Sequence, residues 1–189
     1  MAAKSTLKNM VLCLSIVCLV CSAILAVTYV LTLKPIQAAQ EAKTNASVAK
    51  VLPAFEGTSV LSKATLDGNE YKYYSVDGTG YAFIVDVAGF GGPVSVMVGI
   101  TGDGTVYDTA VLSHSETPGL GAKCLADEKF VGQFRGFDPS ARKLAVSKDG
   151  GNIDAVSGCT ITSRAFTLAV ATATRLYSTI LEQGGTQNE

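Results

Sequence analysis

The hydrophobic pattern of the chain begins with one long uncharged block. Every residue from Met10 to Leu33 is uncharged, and most are apolar. As a helix this block would be roughly 36 Å long, enough to cross a hydrocarbon core of about 30 Å. A cleaved signal peptide is the alternative, but its apolar stretch normally has about 7 to 15 residues. The pattern therefore predicts a retained transmembrane helix over residues 10–33, after a tail of residues 1–9.

Past this block the pattern changes twice. Residues 34–53 are rich in alanine, glutamine and lysine, which predicts a helical stalk that ends near Pro53 and joins a domain of residues 54–189. Between Ser59 and Ser113, apolar and polar residues alternate in short runs separated by glycine and aspartate. This alternation predicts antiparallel strands. The runs cover residues 70–76, 81–87, 93–100 and 105–112.

The last third of the chain contains both helix-like and strand-like patterns. Residues 127–134 favour a short helix, and residues 143–148 favour a strand ended by Asp149-Gly150-Gly151. From Thr160 to Gln183, apolar residues recur at helical spacing, which predicts a long helix with one face on the sheet. The fold class is therefore α+β. The apolar positions of this helix are Ile161, Ala165, Phe166, Ala169, Val170, Ala173, Leu176, Tyr177 and Ile180.

Charge and composition exclude two classes of function. With 15 basic and 16 acidic residues the net charge is −1, so the chain lacks the basic surface of a nucleic-acid-binding protein. A single histidine argues against a multi-histidine metal site. The lysines flanking the uncharged block are too balanced to orient it in a membrane; they are Lys4, Lys8, Lys34 and Lys43.

One glycine-containing segment, residues 114–123 with the sequence HSETPGLGAK, stands apart from the scaffold. Pro118-Gly119 predicts a tight turn, and Gly121 permits close backbone approach. The segment also offers an acceptor, a hydroxyl and a cation, which would suit a ligand-facing loop. A plain connection after a strand is the alternative. The three polar groups are those of Glu116, Thr117 and Lys123.

A second segment, residues 154–160 with the sequence DAVSGCT, directly precedes the predicted C-terminal helix. Unpaired N–H groups and the helix dipole at such a terminus favour an anion, and phosphate is the natural candidate. The alternative is that Ser157 or Thr160 is a simple N-cap residue. Residue chemistry alone leaves both interpretations open.

The two segments together resemble a known family. DAVSGCT is similar to the Asp-x-x-Ser/Thr-Gly-Ala-Thr/Ser motif of FMN-binding domains that a dedicated transferase flavinylates, and ETPGLG at residues 116–121 resembles the companion motif. With the N-terminal anchor and the length, the chain resembles the G subunits of Rnf electron-transport complexes. The C subunit of the sodium-pumping NADH:quinone oxidoreductase is a near relative. Cys159 stands where the motif usually has alanine.

The resemblance implies a cofactor and its contacts. Thr160 would carry FMN through a phosphodiester bond, with the preceding turn presenting it and the ETPGLG loop beside the flavin. Leu120 would supply apolar contact to the isoalloxazine. We add that Lys123 could hold a phosphate or a ring carbonyl. The expected cofactor-binding residues are Glu116, Thr117, Gly119, Leu120, Gly121, Lys123, Ser157, Gly158 and Cys159.

The resemblance also implies a function. A flavin transferase of the ApbE type would move FMN from FAD onto Thr160, so the chain would need no catalytic residue of its own. The domain would relay electrons between other redox subunits, from the extracytoplasmic side of a bacterial cytoplasmic membrane, with the N-terminus in the cytoplasm. Ion translocation would belong to the assembled complex, because the span contains no charged residue. The alternatives are another anchored flavoprotein, such as the quinone-reductase C subunit, a reversible FMN-binding or flavin-reductase enzyme, and a cofactor-free assembly module.

The five cysteines carry one further hypothesis. Cys13, Cys18 and Cys21 lie in the predicted span, where a thiol behaves as a small apolar group. Cys124 follows one motif and Cys159 lies in the other, so closure of both loops on one flavin could bring the two sulfurs within bonding distance. Two buried thiols are the alternative.

Overall fold

A computed structural model describes residues 6–55, 59–76 and 78–185 of the chain. The chain divides into two compact units, Met1–Lys43 and Thr44–Glu189. The first carries the uncharged block, and the second carries both glycine-containing motifs.

The N-terminal unit is built by helix α1, Leu7–Val51, which extends into the second unit. Within the described residues, α1 is the one helix long and apolar enough to cross a membrane. Three of its hydroxyl groups bond inside the helix: Ser22 Oγ donates to the Cys18 carbonyl (2.7 Å), Thr28 Oγ1 to the Leu25 carbonyl (2.9 Å) and Thr32 Oγ1 to the Thr28 carbonyl (2.8 Å). This pairing is what a hydrocarbon environment requires of polar groups. The predicted N-terminal apolar helix is thus confirmed, and its length and composition fit a membrane anchor.

The second unit contains a five-stranded antiparallel sheet in which the strands follow chain order. The prediction of antiparallel strands is confirmed, and the structure adds a first strand that the sequence analysis did not name. That strand is joined to the next by Asp67-Gly68, whose φ angles of 52° and 80° suit a tight hairpin turn. The strands are β1 (Val60–Leu66), β2 (Asn69–Val76), β3 (Gly80–Ala88), β4 (Pro93–Thr101) and β5 (Val106–His114).

One face of the sheet is covered by the C-terminal helix, here α4, Thr160–Gly185. Alternate side chains of β4 enter this core, because successive residues of a strand point to opposite faces. The predicted apolar face of α4 is buried except at its two ends: Ile180 is partly buried, and Ile161 is 51% exposed. The β4 residues of this core are Val94, Val96, Val98 and Ile100.

The opposite face of the sheet carries a smaller core formed with the end of α1. Val48, Val51 and Leu52 are buried there together with Met97 of β4. Gly99 makes this contact possible, since a Cβ at that position would lie 2.6 Å from the Val51 carbonyl carbon. The helix ends at Val51, close to the predicted end near Pro53.

The connection between sheet and α4 differs from the prediction in two places. The helix predicted at residues 127–134 is α3, Glu128–Val131, followed by a 3₁₀ turn at Gly132–Phe134, and a further helix, α2 (Gly121–Ala126), precedes it. The strand predicted at residues 143–148 is wrong. That segment forms a loop ending in a 3₁₀ turn, Ser147–Asp149.

Residues 143–148 do not form a strand because their backbone groups pair with a neighbouring loop. The backbone of residues 143–147 hydrogen-bonds to residues 151–153, for example Ile153 N to the Ala145 carbonyl (3.1 Å) and Ser147 N to the Ile153 carbonyl (2.7 Å). The only strand-like pairing in this described segment is one parallel bridge between Val146 and Ile153. Its backbone groups are therefore satisfied without a sheet partner.

Candidate functional site

The two motif segments meet at one cleft of about 490 Å³. It is bounded by the β3–β4 loop, by the ETPGLG segment leading into α2, and by the start of α4. The lining residues are Phe90, Glu116, Thr117, Leu120, Gly121, Gly158, Cys159, Thr160, Ile161 and Thr162. Seven of the ten site residues proposed from the sequence therefore lie together. The other three, Gly119, Lys123 and Ser157, are exposed and stand outside this lining.

Glu116 joins two sides of the cleft. Its side chain is buried, 5% exposed, and both carboxylate oxygens accept backbone hydrogen bonds from the β3–β4 loop. Phe90 N donates to Oε1 (2.8 Å) and Gly91 N donates to Oε2 (3.2 Å). A buried carboxylate needs such donors, and bonds to a charged acceptor are stronger than neutral ones. The first task of Glu116 is thus to hold the loop that presents Phe90.

Two glycines make room for this carboxylate. A Cβ at Gly121 would lie 2.9 Å from Glu116 Cβ, and a Cβ at Gly89 would lie 2.8 Å from Val94 Cγ2 and closer still to Glu116 Oε1. Both distances are shorter than real Cβ contacts. Gly121 therefore serves close approach, as its position in the motif predicts, and the group that approaches it is Glu116.

Thr160 is the first residue of α4 and is half-buried at the cleft. The carbonyl of Cys159 accepts the N–H of Ser163 (2.9 Å), so the N-cap position belongs to Cys159 and not to Thr160 or Ser157. Gly158, with φ of 82°, lets the chain turn into the helix. The Thr160 hydroxyl is thus placed at the cleft without being used as a cap.

Lys148 is a site residue that the sequence analysis missed. Its Nζ lies 3.5 Å from Thr160 Oγ1, although the two residues belong to different elements. The 3₁₀ turn that carries Lys148 is tied to α4 by a bidentate pair between Asp149 and Arg164 (2.7 and 2.6 Å). The hydrogen bond from Arg164 is the main cause of a lowered Asp149 pKa, with smaller contributions from Lys143 and Lys148. Lys148 therefore adds a cation beside the N–H donors at the start of α4.

Three apolar side chains surround the cleft without being covered. Phe90 is 70% exposed, Leu120 is 55% exposed and Ile161 is 51% exposed. Grouped exposed apolar residues mark a ligand or partner site. The helical periodicity assigned Ile161 to the core, and the correction is that Ile161 lies in the first turn of α4, where it lines the cleft. Phe90 could not be singled out, because its loop reads as an ordinary glycine-rich turn.

Comparison with known proteins agrees with this geometry. Residues 89–175, which include every lining residue of the cleft, match the FMN-binding domain family. The chain is 34% identical to the G subunit of the proton-translocating ferredoxin:NAD(+) oxidoreductase complex of Clostridium ljungdahlii, over 88% of this chain and 89% of that protein. It is 32% identical to the G subunit of the ion-translocating oxidoreductase complex of Methanosarcina acetivorans, over 92% of this chain and 95% of that protein.

The chain belongs to the G-subunit family of ion-translocating oxidoreductase complexes. The resemblance drawn from the two motifs is therefore confirmed. A third relative, from Shewanella piezotolerans, is 30% identical over 93% of this chain and 91% of its own length. The match runs from the anchor through the FMN-binding domain, so both parts of the fold are shared.

The cleft of this G-subunit family member fits an FMN. Its volume is in the range of small-molecule and cofactor sites, which are largely apolar with a few placed polar groups. Phe90, Leu120 and Ile161 offer apolar surface for an isoalloxazine. The N–H groups at the start of α4 and the Lys148 ammonium suit a phosphate.

The two cysteines of the FMN-binding domain are free thiols, so the disulfide hypothesis is wrong for this structure. Both are buried, and Cys124 Sγ lies 3.4 Å from Ser163 Oγ. Burial raises the pKa of the Cys124 thiol. Cys159 belongs to the cleft lining as a small apolar residue.

Proposed function

We propose that this chain is the membrane-anchored electron-relay subunit of an ion-translocating oxidoreductase complex, with FMN attached through its phosphate to Thr160. The observation that carries the proposal is the position of the Thr160 hydroxyl, which lies at a helix start and lines the same cleft as Phe90 and Leu120. One site thus combines a nucleophile, an anion-binding helix terminus and apolar surface for a ring system.

Attachment requires a partner enzyme, a flavin transferase of the ApbE type that uses FAD. The Thr160 oxygen forms a bond to the phosphorus nearer riboflavin. The phosphorus–oxygen bond to AMP breaks, AMP leaves with the electron pair, and the hydroxyl proton passes to a base of the transferase. Thr160 is a substrate in this step, and the chain acts by presenting its hydroxyl at the cleft.

The residues of the chain then position the cofactor. Leu120 and Phe90 would contact the ring, Glu116 holds the loop of Phe90 in place, and the start of α4 with Lys148 would hold the phosphate. Thr117 lines the same cleft, whereas Gly119 and Lys123, which lie outside its lining, are proposed contacts from the family resemblance alone. When bound, the isoalloxazine supplies reversible electron transfer. Excluding water and fixing orientation are the contributions of the protein.

A covalent bond suits a domain placed outside the cytoplasm, where a reversibly held cofactor would be lost by mass action when free flavin is scarce. We place the N-terminus in the cytoplasm and the FMN domain on the extracytoplasmic side of a bacterial cytoplasmic membrane. Electrons would come from and pass to other subunits of the complex. Those subunits would also carry the ion, because no charged residue lies between Met10 and Leu33.

Peptide mass analysis tests this proposal. The full chain is co-expressed with the transferase, separated by denaturing electrophoresis and viewed under ultraviolet light before digestion. We expect a fluorescent band and an FMN-sized addition on the peptide that contains Thr160. Thr160→Ser should keep the addition, since serine retains the hydroxyl, and Thr160→Ala should lose it. Ser178→Ala is the matched control, because its exposed hydroxyl belongs to the same helix but lies outside both motifs and the cleft lining.

Each alternative has its own outcome. A reversible flavoprotein would give a flavin spectrum in the native protein but a non-fluorescent denatured band. A cofactor-free assembly module would show no flavin in either state. An addition that persists in Thr160→Ala would refute Thr160 as the attachment site while leaving covalent attachment intact.

A further inference from the structure

Lys148 lies next to Thr160. Its Nζ lies 3.5 Å from Thr160 Oγ1, although the two residues are twelve positions apart in the sequence. An ordinary surface lysine samples many rotamers and has no set partner. Here the backbone that carries the side chain is fastened on both sides.

The two fastenings flank Lys148 directly. On one side, Ser147 Oγ donates to Asp154 Oδ1 (2.7 Å), and Ser147 N donates to the Ile153 carbonyl (2.7 Å). On the other side, Asp149 accepts two hydrogen bonds from Arg164 of α4. Bidentate pairs of this kind define geometry as well as energy. The turn is therefore tied to the DAVSGCT motif through Asp154 and to the helix through Arg164.

The charge of Lys148 is also available. Asp149, its nearest acid in sequence, is engaged by Arg164. Within residues 6–55, 59–76 and 78–185, no acidic side chain forms an ion pair with Lys148. Among the described residues the ammonium thus faces the Thr160 hydroxyl with no ion pair of its own, at the start of a helix whose dipole has the same sign.

We propose that Lys148 is the residue that holds the phosphate at Thr160, both while the phosphodiester forms and afterwards, and that Asp154 positions it through Ser147. This inference rests on the proposed flavinylation of Thr160. As the Thr160 oxygen bonds to phosphorus and AMP departs, negative charge on the phosphoryl oxygens is stabilised by an ammonium already in place. The same proposal gives a positioning role to Asp154, the first residue of the DAVSGCT motif. Asp154 itself lies outside the cleft lining.

Initial rates of flavinylation test the role of Lys148. The full chain in detergent is incubated with purified transferase, FAD and Mg²⁺, and covalent flavin is measured by in-gel fluorescence over a range of chain concentrations. We expect Lys148→Gln to lower kcat by about tenfold or more with little change in KM. Lys148→Arg should recover most of the rate. The kcat of Asp154→Asn should lie between those of Lys148→Gln and Lys148→Arg, because this change weakens the hydrogen bond to Ser147 without removing the cation.

Lys143→Gln is the matched control. Lys143 lies in the same loop and contributes to the same positive field around Asp149, but among the described residues the hydrogen bond to Thr160 Oγ1 comes from Lys148. Its kcat should equal that of the unaltered chain. Melting curves of each variant establish that the domain is folded, which is expected since Lys148 is exposed.

A second readout does not depend on rate. After prolonged incubation, the ³¹P resonance of the protein-bound phosphodiester should differ between the unaltered chain and Lys148→Gln, and should be unchanged in Lys143→Gln. A failure to label Lys148→Gln at all would agree with the proposal, provided that Lys148→Arg is labelled.

The outcomes for Lys148 are distinguishable from those for Thr160. If the unaltered chain receives no flavin on Thr160, the proposed function itself fails. If it is labelled and Lys148→Gln matches Lys143→Gln in kcat and in ³¹P shift, the role of Lys148 is refuted and the proposed function stands. An effect confined to KM would also refute it, since that result means that Lys148 only docks the transferase.

Discussion

Replacing Glu116 by alanine should destabilise the domain by about 3 kcal/mol and release the β3–β4 loop. The carboxylate is 5% exposed and accepts from Phe90 N (2.8 Å) and Gly91 N (3.2 Å). Hydrogen bonds to a charged group contribute about 1.5–3 kcal/mol each, so two bonds give about 3–6 kcal/mol. We take the lower end, because the loop is partly exposed and water can replace the lost acceptor.

Two measurements check this value. Urea unfolding of the full chain in detergent can be followed by tyrosine fluorescence, since the chain has seven tyrosines and no tryptophan. Hydrogen exchange reports the loop directly, and the amides of Phe90 and Gly91 should lose their protection. Glu116→Gln should lose about half as much stability as Glu116→Ala, because its amide oxygen can still accept one of the two bonds.

Glu70→Gln is the matched control for charge removal. Glu70 pairs with Lys63 on the surface of β1 and β2, where both side chains are more than half exposed. Such pairs contribute about 0–1 kcal/mol. The reasoning would be refuted if Glu116→Ala lost no more stability than Glu70→Gln, or if the exchange of the two loop amides were unchanged.

Three further predictions concern other parts of the domain. Gly99→Ala should cost about 2 kcal/mol or more, because its Cβ would meet the Val51 backbone, whereas Gly102→Ala has open space and should be nearly neutral in the same urea assay. Phe90→Ala should leave covalent flavin yield intact but expose the ring, which iodide quenching of flavin fluorescence would detect as a faster rate. Cys124 should resist alkylation at pH 8 until the protein unfolds, and because burial raises its folded pKa, its contribution to stability should decrease as pH rises above the ordinary thiol value.

Contrary results are easily recognised. Equal stability of the two glycine variants would mean that the end of α1 does not pack on Gly99. Unchanged quenching in Phe90→Ala would place the ring elsewhere. Peptide-resolved alkylation of native Cys124 as fast as that of a free thiol would show that the thiol is accessible.

Much of the fold could be predicted because its determinants are local. The uncharged span, the alternation in β2–β5 and the helical spacing in α4 each lie within one stretch of sequence. Strand β1 could also have been predicted, since the Asp67-Gly68 dipeptide is a strong hairpin signal. The loop structure of residues 143–148 could not be predicted, because their composition is strand-like. Their backbone groups hydrogen-bond to a nearby loop instead of to a sheet edge.

The residues of the candidate site also fall into those that the sequence could identify and those that it could not. Thr160, Leu120 and Gly121 could be named from two short motifs, and the sequence alone led to the family. Phe90, Ile161 and Lys148 could not, because each reaches the cleft only through the packing of another element. Periodicity even assigned Ile161 to the core, since helical spacing identifies a face but not the point at which the sheet stops covering it.

For Thr160, the sequence and the tertiary structure contribute different information. The sequence by itself determined that a hydroxyl precedes a long amphipathic helix within a flavinylation-like motif, because both features are contiguous. Only the tertiary structure decided that Cys159 takes the cap position and that Lys148 stands beside the hydroxyl. Contacts between residues far apart in the chain depend on how loops close, and loop closure is set by hydrogen bonds between separate segments, such as Ser147 to Asp154.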